Sequence, residues 1–347
     1  MRDLSRTGQR RPRVKPQPLP GFVFPFGPAG DPDQVDGWVL NSSGGKDSQE
    51  MIRRVADRLR AAGLLDRLVA QGRIWVQHNG LGDDPDTGVE WAGTCELARE
   101  QAARYGIPFA LTSREGADLI DDIAGRRQTD GTPRGFPRLQ FRFCTREHKT
   151  APSEMFIRAL ASRFGVTGRP VVVVQTFGFR AAESPRRARR AVWSFNERAS
   201  TIHTRKVYDW LPIHEVSTAD IWAGIRAAGV PYHPAYKLGM SRLSCRFCVL
   251  AGEADLLISA RANPGTAQRI LAVENATGKP FQDTRTMAQI IAKAGPADPF
   301  RRAWVSCPTC GVRVLIRAGD PDHGCPAHAA TGPWALPHRD AARPACG

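Results

Sequence analysis

Several things are missing from this chain, and each absence excludes something. No apolar run in its 347 residues approaches the ~20 needed to span a membrane. The N-terminus carries no apolar signal core, so no membrane partner is expected and a cytoplasmic location is. No internal repeat recurs. Acidic residues are in short supply: 34 Asp and Glu against 49 Lys and Arg leave a net charge of +15. That balance favours polyanionic partners, nucleic acid or nucleotides. A Walker A loop is also absent, because Gly45-Lys46 is followed by Asp47 where Ser or Thr would be required. What is present is ordinary in bulk: 41% hydrophobic and 24% charged residues suit a globular protein of one large or two modest domains. In such a compartment the eight cysteines read as ligands or catalysts rather than disulfides.

The most informative segment is Ser43-Gly44-Gly45-Lys46-Asp47-Ser48. Gly37 to Asn41 before it reads as a buried strand. Ile52, Val55, Leu59 and Ala62 after it recur at helical spacing. Two glycines between strand and helix let the backbone fold around an anion, with the first-turn amides pointing at it. Lys46 adds a positive charge, Ser43 and Ser48 add hydroxyls, and Asp47 can orient Mg2+. The bland alternative is a capped Gly-rich β–α turn. The complete string instead looks like the Ser-Gly-Gly-x-Asp-Ser pyrophosphate loop of ATP pyrophosphatases.

Strand and helix patterns alternate onward. Ile74–Gln77, Pro108–Thr112 and Val171–Gln175 read as strands, and Leu97–Tyr105 as a helix. This predicts an α/β fold with a doubly wound, mostly parallel sheet, whose ligands bind beyond the carboxyl ends of the strands. The expected organisation is a basic, Pro/Gly-rich disordered arm over 1–35, a nucleotide-binding domain over 36–200, a helical cysteine-containing region over 201–299 and a zinc-knuckle tail over 300–347.

Gly178 to Pro185 follows the fourth strand. Arg180 there could clamp a phosphate, with Glu183 orienting it. Arg186, Arg187, Arg189 and Arg190 follow, with Trp193 and Phe195 close behind, which suits a nucleotide or single-stranded nucleic acid as well as a solvated basic helix. Cys245-x-x-Cys248 lies mid-chain, and Cys144 is a plausible third thiol. The trio could hold an iron–sulfur (4Fe-4S) cluster, bind zinc with His148 or His233, act as a redox dithiol at Cys245 and Cys248, or be structural. Cys307-x2-Cys310 and Cys325-x2-His328, fourteen residues apart, match a tetrahedral structural zinc site, with His323 a competing ligand. Cys95 opens a helix and reads as a packing residue.

Across residues 37 to 265 the chain resembles the phosphoadenosine phosphosulfate (PAPS) reductase family of the pyrophosphate-loop superfamily. It is similar to bacterial and phage members and to the sulfur-transfer protein of DNA phosphorothioation. The resemblance rests on Ser43–Ser48, on His78-Asn79-Gly80-Leu81-Gly82 with Glu90-Trp91, and on Cys144 to Lys149. Gly178–Ser184, Trp210–His214 and Tyr232–Cys248 complete it. It implies an adenine-nucleotide α-hydrolase-like sheet, phosphates at the loop, His78 near the nucleotide, and Cys144, Cys245 and Cys248 as cluster ligands. Two departures matter. Assimilatory PAPS reductases carry a degenerate loop and a C-terminal Glu-Cys-Gly-Leu-His nucleophile, whereas this chain keeps the ATP-type loop and ends Ala345-Cys346-Gly347. Both favour ATP-dependent chemistry.

The resulting expectation is an ATP-binding enzyme that adenylates a substrate, releases pyrophosphate and transfers sulfur. Lys46, Asp47 and Arg180 would be catalytic, and a cysteine desulfurase-like protein would donate the sulfur. A sulfonucleotide reductase using Cys346 or the Cys245 pair, and a non-catalytic nucleotide- or DNA-binding protein, are the alternatives.

Overall fold

The computed structural model describes residues 35–201, 203–306 and 313–318. Short runs rich in β-branched and aromatic residues form strands β1 (Gly37–Ser42), β2 (Ile74–Asn79), β3 (Phe109–Thr112), β4 (Val171–Thr176), β5 (Trp193–Phe195) and β6 (Arg205–Trp210). They make one six-stranded sheet in the order β3-β2-β1-β4-β6-β5, parallel except for β5 at one edge. Helices α1 (Lys46–Ala61), α2 (Leu65–Ala70), α3 (Thr94–Ala103), α4 (Leu119–Gly125), α5 (Phe143–Thr145), α6 (Ala151–Arg163) and α7 (Pro185–Ala188) run between the strands. After the sheet come α8 (Thr218–Ala227), α9 (Glu253–Ala262), α10 (Pro264–Thr277) and α11 (Met287–Ala294). The chain thus forms the expected doubly wound α/β sheet with a helical C-terminal part.

Both faces of the sheet are covered, so its central strands are apolar almost throughout. Trp38 and Leu40 of β1 pack with Met51, Ile52, Val55 and Leu59 of α1 on one face. Val39 joins Val171, Val173, Ile157 and Leu160 on the other. A second core lies among α4, α9, α10 and α11, around Phe247, Phe281 and Leu256. The sheet does not stop at residue 200: β6 pairs with β4 from Arg205 to Trp210. The basic run does not continue as a helix through its aromatics. Trp193 lies on the edge strand, stacked on Trp210 at 4.9 Å between ring centroids, and Phe195 meets Tyr208 edge-on.

A hairpin of β7 (Arg302–Ser306) and β8 (Arg313–Arg317) is tied to α3 by Arg302–Glu96 at 3.0 Å and Arg313–Glu100 at 3.2 Å. Of the expected arm over 1–35 only Val35 is described, and it is buried in the core rather than part of an arm; the rest of the arm, the zinc ligands Cys307, Cys310, Cys325 and His328, His323 and Cys346 lie outside the described residues. Among the described residues no helix is long and apolar enough to cross a membrane.

Candidate active site at the carboxyl edge of the sheet

The chain runs from β1 through β2 to β3 on one side of β1 and then crosses to β4 on its other side, which makes the β1/β4 junction the switch point of the sheet. Ser43–Ser48 emerges there. Gly44 has φ +69°, and a Cβ on it would stand 2.9 Å from Thr94 Cγ2 and from the Thr94 carbonyl oxygen, so only glycine serves. The loop is tied to itself: the Gly44 N–H donates to Ser42 Oγ, the Ser43 N–H to Ser48 Oγ, and the Ser48 hydroxyl to the Gly45 carbonyl. Such bonds hold a turn in one shape before a ligand arrives.

Three charged side chains converge on it. Asp47 receives Arg180 Nε at 2.7 Å on one carboxylate oxygen and Lys46 Nζ at 3.3 Å on the other. Arg180 is 4% exposed and also donates to Thr218 Oγ1 at 3.0 Å. The expectation that Glu183 orients this guanidinium is not met. Glu183 accepts the main-chain N–H of Arg180 at 2.7 Å and pairs with Arg187, while Asp47 and Thr218 set the guanidinium. Gly178 makes the approach feasible, since a Cβ there would lie 2.9 Å from the Asp47 carbonyl carbon and the Ser48 nitrogen. Burial opposes the charge on Lys46, but Tyr236 and Asp47 outweigh it and hold its pKa above the ordinary lysine value.

Sequence reasoning missed the residues that brace Lys46. The Tyr236 hydroxyl accepts the main-chain N–H of Lys46 at 3.1 Å and that of Leu243 at 3.2 Å. Lys46 Nζ donates to the Ser241 carbonyl at 3.1 Å, and Asp255 fixes Ser241 through both its N–H and its hydroxyl. The run Pro231–Tyr236 was visible as aromatic-rich, but nothing in its spacing tied it to residue 46.

A buried polar path leads from the loop toward the cysteines. His78, 1% exposed on β2, reaches the Ser42 carbonyl through Nδ1 at 3.0 Å and Glu90 Oε2 through Nε2 at 3.3 Å. Burial works against its charge, yet Glu90 raises its pKa above the usual histidine value. Burial would also raise the Glu90 pKa, but His78 and then Lys149 bring it below the usual carboxylate value. Glu90 forms a β-bridge with Cys245.

Cys144, Cys245 and Cys248 all line one apolar cavity of about 50 Å³, walled by Val89, Ile120 and Phe281. Interaction with Cys245 and then with the Glu90 carboxylate holds the Lys149 pKa above the ordinary lysine value against its burial. Lys149 sits in a π-helical turn, Arg146–Thr150, a distortion frequent at functional sites. Burial pushes the Cys245 thiol up to about 12, which makes a free dithiol there a poor nucleophile. The two histidines considered as zinc ligands are engaged elsewhere. His148 Nε2 meets Asp122 at 2.9 Å, and both ring nitrogens of His233 hydrogen-bond the main chain, at Ala92 and Ala235. Burial drives the His233 pKa to about 3. Among the described residues no group of three or more His, Cys, Asp or Glu is arranged to hold a metal ion. The trio therefore shares a cavity without standing as a preformed ligand set. Cys95 does open α3, where burial raises its pKa.

The sheet, its switch point and the loop define a doubly wound α/β protein with a candidate phosphate site. Residues 85–251 match the family described as phosphoadenosine phosphosulfate reductase domain. The match covers just under half of the chain, and members of that family are enzymes acting on nucleotides. The match takes in Glu90, Cys144, Lys149, Arg180, Tyr236, Cys245 and Cys248 and begins downstream of the loop. A relative in Escherichia phage 186, an uncharacterized 37.8 kDa protein, is 30% identical over 165 residues, or 47% of this chain. The alignment spans 44% of that relative, less than half its length. Among solved structures, a PAPS reductase from Candida auris in a phosphate complex is 15% identical with TM-score 0.37, over 61% of this chain and 83% of that one. An FMN adenylyltransferase from Candida glabrata is 12% identical with TM-score 0.39, over 61% and 56%. At that distance neither likeness carries a residue role to this chain.

Proposed function

We propose that the chain binds ATP with Mg2+ at Ser43–Ser48 and transfers adenylate to a substrate oxygen, with pyrophosphate released, as preparation for sulfur transfer. The observation that supports this most is the convergence of Lys46, Asp47 and Arg180 on a pre-shaped loop at the switch point. Ser43, Gly44, Gly45 and Ser48 would cradle the β- and γ-phosphates, and Asp47 would face the magnesium ion. The substrate oxygen forms a bond to the α-phosphorus as the bond to the β-phosphate oxygen breaks. Lys46 and Arg180 balance the charge gathering on the departing pyrophosphate. His78, hydrogen-bonded to the end of β1, borders the nucleotide, and Glu183 holds the main chain of Arg180 in place. A sulfur nucleophile from a cysteine desulfurase-like donor then displaces AMP, which leaves with the activated oxygen.

Cys144, Cys245 and Cys248 fit a thiolate-bound group in donor type and in sharing one apolar cavity. They would hold an iron–sulfur cluster or zinc, which supplies sulfur handling when bound. Pyrophosphate release from ATP, measured with candidate oxygen nucleophiles, tests the reading. Lys46→Ala and Arg180→Ala are expected to reduce it at least ~100-fold, the scale of removing one preorganised charge-stabilising donor. Undiminished release in both variants would remove adenylation from consideration.

One observation favours a nucleic-acid substrate over a small one. Arg142, from the segment before α5, and Arg186 and Arg187 all lie near enough to Arg190 to act on its charge. Lost hydration, then the charges of Arg187, Arg186 and Arg142, lower the Arg190 pKa. Arg187 and Arg190 lie over the Phe179 ring at 4.4 and 5.0 Å. Clustered guanidiniums beside an aromatic face suit a phosphodiester strand.

A further inference from the structure

The segment from Ser241 to Cys248 forms neither helix nor strand apart from a β-bridge at Cys245, so a few tertiary contacts set its path. At its head, every polar group of Ser241 is engaged. The N–H and hydroxyl donate to Asp255 at 3.0 and 2.6 Å, and the carbonyl accepts Lys46 Nζ at 3.1 Å. Asp255, on α9, is buried. Two residues on, the Leu243 N–H donates to the same Tyr236 hydroxyl as the Lys46 N–H, and a Cβ on Gly45 would stand 3.2 Å from Leu243 Cβ. At its tail, the Arg246 N–H donates to the Val89 carbonyl at 2.9 Å, and Cys245 and Cys248 line the apolar cavity. One short segment therefore runs from the ammonium of the loop to two of the thiols.

An anion bound at the loop competes for Lys46. The ammonium donates to the neutral Ser241 carbonyl, and a charged phosphate oxygen is the stronger acceptor. Drawing Lys46 off Ser241 removes a contact that holds the head of the segment, and no regular structure separates that head from Cys245. We infer that Ser241, aimed at Lys46 by Asp255, is a positioning residue that couples occupancy of the phosphate loop to the placement of Cys245 and Cys248. The inference rests on the reading of Ser43–Ser48 as a phosphate site. The coupling is reciprocal: whatever stiffens the segment at its two thiols weakens nucleotide binding by the factor with which nucleotide loosens the segment.

The test is amide hydrogen exchange of the full chain, read by mass spectrometry with and without saturating ATP and Mg2+, beside a calorimetric titration of the same pair. ATP is expected to slow exchange over residues 43–48. Over 243–248 it is expected to speed exchange roughly three- to tenfold, the protection that one hydrogen bond confers. In Asp255→Ala, which removes both acceptors of Ser241, ATP should still protect the loop while the rise over 243–248 falls by about half or more. A merely structural Asp255 would speed exchange equally with and without ATP, so the difference between the two states is what reports coupling. If Asp255→Ala does not fold, Ser241→Ala, at an exposed position, loses only the hydroxyl bond and gives the same readout at smaller amplitude. ATP binding with unchanged or slower exchange over 243–248, or a rise of full size in the variants, would overturn the inference and leave the phosphate loop standing. No calorimetric binding of ATP, with no change in either stretch, would overturn both.

Discussion

Tyr236 illustrates how single atoms fix the site. Its hydroxyl accepts two main-chain N–H groups, from Lys46 and Leu243, in a fully buried position. Tyr236→Phe keeps the ring against Trp222 and strands both donors, and is expected to cost about 1–3 kcal/mol, read from the urea midpoint. Unchanged stability would show that the two N–H groups find other acceptors. The His78–Glu90 pair adds a pH dependence. The folded pKa of His78 lies above 6.5, so its contribution is complete below that pH and fades as pH rises through the folded value. The folded pKa of Glu90 lies below 4.5, so its contribution is present above that pH and fades as pH falls through the folded value. Glu90→Gln should therefore destabilise most between about pH 4.5 and 6.5 and progressively less above the folded His78 value. Equal destabilisation across that range, measured by denaturant unfolding, would refute the charged pair. Neither Tyr236 nor Glu90 announces such a role in sequence, because their partners lie across the fold.

At the scale of elements, legibility followed hydrophobic pattern. β1, β2 and β4 are buried on both faces or nearly so, and their apolar runs mark them within one or two residues; β3, a half-exposed edge strand, is marked by the short run Pro108–Thr112. β5 and β6 escaped notice. Three residues at an edge carry almost no periodic signal, and Arg205-Lys206 opens β6 with charge. The π turn at Arg146–Thr150 has no sequence signature, so Lys149 could be located only by folding. The loop was legible because its chemistry and its turn geometry require the same residues. Gly178 marks where two elements nearly touch. Gly178→Ala would drive a Cβ into the backbone of Asp47 and Ser48 and displace the first turn of α1. The expected result is at least a tenfold loss of pyrophosphate release, about 1.4 kcal/mol of barrier. Gly125→Ala, where a Cβ meets nothing within 4 Å, is the silent control. Equal activity in the two variants would mean that the close approach is irrelevant to the chemistry.

For the whole molecule, the excess of basic over acidic residues acquires a location. Several arginines are engaged in ion pairs within the fold, such as Arg53 and Arg54 on Glu50, or Arg114 and Arg126 on Asp122, which offset part of their charge. Arg142, Arg186 and Arg190 differ. Arg142 and Arg186, from two chain segments, both act on Arg190, against the opposing charge of Asp209. Composition gave the net charge of +15 but could not separate paired from clustered guanidiniums, since pairing depends on contacts between residues far apart in sequence. If the cluster tracks a phosphodiester backbone, binding of a labelled single-stranded oligonucleotide should weaken steeply with salt. Each phosphate contact adds about 0.7 to the slope of log affinity against log salt. Arg142→Ala with Arg190→Ala should flatten that slope by about 1–2 and lower affinity similarly for every sequence, because phosphate contacts carry no base information. Replacing Arg53, already paired with Glu50 and Asp57, should leave the slope unchanged. A slope indifferent to Arg142 and Arg190 would detach the cluster from nucleic acid and leave the loop acting on a small substrate.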